Sequence, residues 1–422
     1  MRSGHFFAKF LMRTALLFLS TVSVLAAWQQ TPTHADQRIA MARQQIAADS
    51  KAFQGYNQLA TALCRKGRDT SDIAYYNEAK AAVDKSLELS AGNYDAVKLR
   101  VEVLLGQHEF QQALKLAQEI NKKGPDDIAV WGFLVDVNTA LGNYSEAERD
   151  AQWILDLRSG SALGFEKAAE LREVFGDSVG ASEFYGEALR RTAQSDLDQR
   201  AWLLTQRARI AVASGDAKSA GEILPQVFAL FPGSQAATLV MADVQTANGK
   251  FSEAAGLFEK CYRSVPSTAD LYAWASSLER AGQKDEAAKE LAAFESKARA
   301  EIGKPYNANL ELIAYYADRK NDAAEALRIA NIESARRQDA PTLAALAWAL
   351  YDNGKFADAK TQIDKALAVG IREPAYFCHA AQISAKANNA ADAAKFEKEA
   401  ATFGMHSCLA DHPIQAALGD SK

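Results

Sequence analysis

Apolar residues recur three and four positions apart over two consecutive stretches, about Gln235 to Asn248 and about Ser252 to Ser264. That spacing predicts two amphipathic helices joined by a short turn. Phe251, Ala254 and Phe258 share one face of the second helix, and the small Ala254 lets a neighbouring helix come close. Pro266 ends this helix, because proline cannot continue the hydrogen-bond ladder; Pro125 and Pro232 stop helices at the equivalent place. The figure beginning Gly249-Lys-Phe251-Ser-Glu-Ala254 returns at Gly354-Lys-Phe356-Ala-Asp-Ala359 and at Gly142-Asn-Tyr144-Ser-Glu-Ala147. Small turn residues mark the unit throughout: Gly106, Gly142, Gly176, Gly215, Gly249, Gly282, Asn321, Gly354 and Asn388. Their spacings of 36, 34, 39, 34, 33, 39, 33 and 34 residues cluster on one period. The two long steps, near Gln194–Gln199 and Ser296–Pro305, imply lengthened loops or helix ends.

Counted this way the chain holds ten helix–turn–helix units over residues 51–403. The first, about Lys51 to Ser90, is irregular and carries an enlarged turn at Arg65–Asp72. The eighth, about Pro305 to Arg337, is degenerate. The tenth, Pro374 to Phe403, keeps Ala393 but lacks the aromatic before it. One helix pair cannot bury its apolar face alone, so the units must stack into one long core. Residues 27–50 read as a linker leading into an N-terminal capping helix, and residues 404–422 as a tail.

Composition agrees with this reading. Of 422 residues, 48% are hydrophobic, with modest glycine and proline, as a helical array requires. The net charge of −5 argues against a nucleic-acid binder. Arg2, Lys9 and Arg13 precede an apolar run from Ala15 to Ala27, the pattern of an export signal spanning residues 1–26, with cleavage after Ala26. Its loss removes three positive charges and moves the net charge to −8. The run is short for a membrane span of about 20 residues, although an uncleaved anchor stays open. The expected location is exported, periplasmic or extracellular.

The repeated unit resembles the tetratricopeptide repeat. Trp131, Leu134, Gly142, Tyr144 and Ala147 follow the family pattern in the third unit. Phe165, Gly176, Ala181, Tyr185 and Ala188 follow it in the fourth, and Leu343, Leu346, Ala347, Gly354, Phe356, Ala359 and Ala366 in the ninth. The resemblance implies an all-α fold, a right-handed α-solenoid in which the first helix of each pair lines a concave groove that holds a protein or peptide. The central concave place then falls at Glu102, Asp136, Glu170, Arg209, Asp243, Ser276, Leu312, Trp348 and Gln382. Glu166 and Glu173 flank Glu170 on the same face, and Trp202 and Tyr272 join the lining. This describes a groove acidic in its N-terminal half and aromatic in its C-terminal half, suited to a basic or amphipathic partner. The competing readings are that the acids are a solvated face and that Trp348 packs in the core. Lysines and asparagines that would grip a C-terminal carboxylate are missing from these positions.

No catalytic, phosphate-loop or metal-ligand motif is present, so an interaction scaffold without enzymatic activity or cofactor is expected. His108 reads as polar surface in a turn. Cys261 takes a small core place and Cys64 is too many repeats away to pair with it. Cys378 opens the first helix of the tenth unit and Cys408 follows its second. Antiparallel packing brings these ends together, within reach of a disulfide. Two other readings stay open: a metal site from Cys378, His379, His406 and Cys408, and unpaired cysteines.

Overall fold

The computed structural model describes residues 33–403 and Cys408, and all regular structure among them is helical. The expected signal segment, most of the linker and most of the tail lie outside the described residues. Helix α1 (His34–Ala48) precedes ten antiparallel pairs: α2 (Phe53–Thr70) with α3 (Ile73–Leu89), α4 (Tyr94–Gly106) with α5 (Phe110–Asn121), α6 (Ile128–Leu141) with α7 (Tyr144–Leu157), α8 (Ala162–Val174) with α9 (Ser178–Arg191), α10 (Leu197–Ala213) with α11 (Ala217–Leu230), α12 (Gln235–Ala247) with α13 (Phe251–Ser264), α14 (Thr268–Arg280) with α15 (Lys284–Glu301), α16 (Asn309–Ala314) with α17 (Ala323–Ser334), α18 (Ala340–Asp352) with α19 (Phe356–Ala368), and α20 (Pro374–Lys386) with α21 (Ala390–Ala401). The fold is an all-α solenoid, as expected.

Local chemistry explains the boundaries. Asp72, Asn93, Asp127, Ser161, Ser234 and Asp339 each stand just before a helix and accept a hydrogen bond from an amide in its first turn. At the turn inside a pair, one residue takes a left-handed backbone. Gly142 does so at φ 83°, and the following amide of Asn143 closes onto the Asn138 carbonyl at 2.8 Å. Eight of the nine expected turn residues have positive φ. The exception is Gly106, the last residue of α4; its turn residue is His108, at φ 60°. Gly106 is small for another reason, since a Cβ there would stand 2.1 Å from the Tyr76 ring. The enlarged turn expected at Arg65–Asp72 is mostly helix: α2 runs to Thr70, and the turn is carried by Ser71 at φ 56°.

The two long steps are absorbed by helix. Helices α10 and α15 reach 17 and 18 residues, where most elements have 12 to 14. The degenerate eighth unit has a physical cause as well. After α16 the chain widens into a π-helical stretch, Tyr315–Lys320, before Asn321 turns it. That widening buries Tyr315 and Tyr316 side by side, with both hydroxyls donating to Glu295, at 3.1 and 2.8 Å.

Solenoid repeats normally touch only their neighbours. Here the array also meets itself six units further on. The Gln338 amide donates to the Leu141 carbonyl at 3.2 Å, and the Ala340 amide to the Tyr144 hydroxyl at 2.8 Å across 196 residues. One unit along, a Cβ on Gly176 would lie 2.2 Å from the Gly370 carbonyl oxygen. One unit before, the His108 ring lies 4.9 Å from Tyr306, whose hydroxyl donates to the Ser71 carbonyl at 3.3 Å. The turn of units 2, 3 and 4 thus rests on the segment leading into units 8, 9 and 10. A second closure crosses the groove: Arg65 pairs with Asp196 at 2.7 Å and Arg68 donates to Gln199 at 3.0 Å.

Candidate concave binding site

The first helices of units 2 to 5 carry the expected lining, and the closures above convert part of the groove into a cavity of about 640 Å³. Glu102, Asp136, Glu166, Glu170 and Trp202 all line it, together with Arg68, Lys167, Tyr76, Phe133, His108 and Tyr306. The sequence therefore located one wall. The opposing wall comes from the end of α2 and from Tyr306, which only the long-range closure brings in.

The acids of α8 are not a bare negative face. Lys167 Nζ stands 2.5 Å from Asp136, 3.1 Å from Glu170 and 3.6 Å from Glu166. Burial opposes the Lys167 charge, yet these carboxylates outweigh it and hold the ammonium well above its ordinary pKa. Burial, reinforced by Asp136 and Glu166 and opposed by Lys167, pushes the Glu170 carboxyl up to about 8. Glu166 also accepts from the Gln199 amide at 2.7 Å. Glu173 receives a two-pronged contact from Arg209, whose Nη2 lies 2.6 Å away. The expected free triad Glu166, Glu170 and Glu173 is thus corrected to an internally paired set. Lys167 was the residue missed, though a single lysine between Glu166 and Glu170 already offered an i,i+3 partner.

Other carboxylates keep no such partner. Among the described residues no side-chain hydrogen bond or ion pair reaches Glu102; burial raises its pKa against the pull of Arg68 and Arg65. Asp243 is exposed, in a poorly solvated concavity that lifts it to about 6 despite Arg209. Asp270 also reaches about 6, through burial and the nearby Glu311. Glu311 is raised chiefly by burial. These two were not foreseen. Leu312, placed at the concave centre by register, is fully buried and belongs to the core instead.

Toward the C-terminal end, Tyr272 and Ser276 hold Arg319, which donates to them at 3.3 and 3.2 Å and pairs with Glu279. Arg319 lies in the π-helical stretch, which sequence periodicity does not announce. Trp348 is a core residue: 2% exposed, stacked on His379 at 3.9 Å and donating to Asp318 at 2.9 Å. Its place as a groove anchor is therefore withdrawn. Gln382 is buried too, and donates to the Cys408 carbonyl. His108 is no simple surface residue; it stacks on Phe110, and burial together with Arg337 and Arg336 pushes its pKa down to about 4.

Cys378 and Cys408 form a disulfide with Cα atoms 5.0 Å apart, while Cys64 and Cys261 are buried free thiols. Both terminal sulfurs are consumed in that bond. The alternative metal site on Cys378, His379, His406 and Cys408 loses its thiolates; His406 lies outside the described residues.

Sequence models of the tetratricopeptide repeat match residues 76–136 and 344–407. These two matched segments are tetratricopeptide repeats, and the ten stacked helix pairs share their period. No curated protein matches it in sequence. Among solved structures, PilW, a widely conserved type IV pilus biogenesis factor, is similar at 14% identity over 50% of this chain and 94% of its own, with TM-score 0.41. The human IFIT1 dimer with PPP-AAAA is similar at 11% identity over 89% of this chain and 96% of its own, with TM-score 0.48. A tetratricopeptide-repeat protein from Parabacteroides merdae is similar at 16% identity over 57% and 90%, with TM-score 0.43.

Proposed function

We propose that this protein-interaction scaffold is exported, works without bond chemistry, and holds a basic or amphipathic protein segment along its concave face. The observation that carries this reading is the surplus of carboxylates without an ion pair among the described residues on the first helices of the units: Glu102, Asp243, Asp270 and Glu311. A cationic segment would supply the counter-charges that the chain itself supplies to Asp136, Glu166, Glu170, Glu173 and Glu279. Export is supported by the charged and apolar N-terminal pattern and by a disulfide, which persists in oxidising compartments.

The test uses the triple variant Glu102→Gln, Asp270→Asn, Glu311→Gln, which disturbs no internal ion pair. A lysine- and arginine-rich amphipathic peptide should bind the wild type, weaken with salt, and bind the variant at least tenfold less well. Equal affinity for an acidic peptide of the same length would overturn the reading. N-terminal sequencing of the mature protein checks export: a start at Ala27 is expected, and a retained Met1 contradicts it.

A further inference from the structure

We propose that the half-open cavity between α2 and the first helices of units 2 to 5 is a receptor for one guanidinium or ammonium group, with Glu102 as its counter-ion and Trp202 and Tyr76 in its wall. The proposal deepens the scaffold reading by naming the pocket and the chemical group that seats there, and it rests on that reading for the source of the cation, a side chain of the bound segment.

The charges around the cavity sort into pairs and one remainder. Lys167 is taken by Asp136 and Glu170. Arg68 lies 5.2 Å from the centre of the Trp202 ring, donates to Gln199, and has the buried Asp69 carboxylate 3.5 Å from its Nε. Glu166 is capped by the Gln199 amide. Glu102 lines the same space with no hydrogen bond or ion pair among the described residues, and Arg68 and Arg65 act on it only from a longer range. A carboxylate held out of bulk water without a partner is costly, and here it faces room that a cation can fill. The space of about 640 Å³ accommodates an arginine or lysine residue with flanking backbone. Its walls combine an acid with the Tyr76 and Phe133 rings, the two features that bind a partly desolvated cation, while Arg68 already lies against the Trp202 ring.

Butylguanidinium chloride serves as the probe for the full-length protein, and butylurea as its neutral match. The readout is the indole N–H resonance of Trp202, assigned through Trp202→Phe. Butylguanidinium should shift that resonance saturably, butylurea should leave it in place, and Glu102→Gln should weaken the response at least tenfold while other indole resonances stay unmoved. Equal response to both probes, or an unchanged response in Glu102→Gln, overturns the pocket. The outcome is separable from that of the scaffold reading. If the basic peptide binds but Glu102→Gln alone has no effect on it or on butylguanidinium, the pocket falls and the scaffold stands. If butylguanidinium binds through Glu102 and no basic peptide binds, the pocket stands and the groove reading falls.

Discussion

At the scale of single residues, the decisive distinction is between carboxylates that the chain neutralises and those it leaves alone. Asp270 illustrates the second kind. Its carboxyl titrates near 6 in the folded protein against an ordinary 3.8, because burial and Glu311 disfavour its charge. A raised folded pKa means the folded state binds the proton more tightly. The corresponding stability is present below pH 4 and is lost as pH rises through about 6. Asp270→Asn removes that loss. Its thermal midpoint should match the wild type near pH 3.5 and exceed it near pH 7.5, by an amount corresponding to about 1–2 kcal/mol after allowance for partial exposure. A difference that stays constant across this range would show that the Asp270 charge is not disfavoured by folding. Sequence alone marks Asp136 and Glu170 as acids on a shared face. It does not show that Lys167 turns inward between them, since adjacent residues on a helix point in different directions unless the long lysine stem bends back into the groove.

At the scale of elements, periodicity was a faithful guide wherever the helix was a regular α-helix with a left-handed turn residue after it. The expected pair at Gln235–Asn248 and Ser252–Ser264 falls within about a residue of α12 and α13. It misled in unit 8, where Leu312, three residues before the π-helical stretch, is a core residue and not part of the lining. It also misled at Trp348, because a register position says which way a side chain leaves the helix, not whether another helix already covers it. The last pair is held differently from the others. Its end is tied by the Cys378–Cys408 bond across a loop of 30 residues and by the Gln382 contact to the Cys408 carbonyl. A loop of that length is worth roughly 3 kcal/mol in chain entropy. Replacing both cysteines by serine should therefore speed amide exchange in α21 by a factor on the order of 100, while α12 and α13 exchange as before. Unchanged protection in α21 would mean that helix packing alone holds the last pair.

At the scale of the whole described array, the self-contact changes what kind of solenoid this is. A stack with nearest-neighbour contacts opens piecemeal, each unit answering only to the next. The seam from units 2–4 to units 8–10 couples segments far apart in sequence, and its His108 and Tyr306 form part of the cavity wall. Glycine makes the seam separable from ordinary turn strain. Gly142 and Gly249 have similar left-handed backbones, φ 83° and 73°. A Cβ on Gly249 would meet nothing within 4 Å, whereas one on Gly142 would lie 2.4 Å from the Gln338 carbonyl oxygen. Both alanine variants carry the same backbone penalty, roughly 1–2 kcal/mol. Only Gly142→Ala must also push the two turns apart. The expected result is faster amide exchange at Gln338 and Ala340 in Gly142→Ala and not in Gly249→Ala, with a larger radius of gyration in the former by small-angle scattering. If Gln338 and Ala340 exchange alike in the two variants, the turns are not held together at this seam. The Trp202 response to butylguanidinium should weaken along with it, since Tyr306, part of the same seam, forms part of the cavity wall.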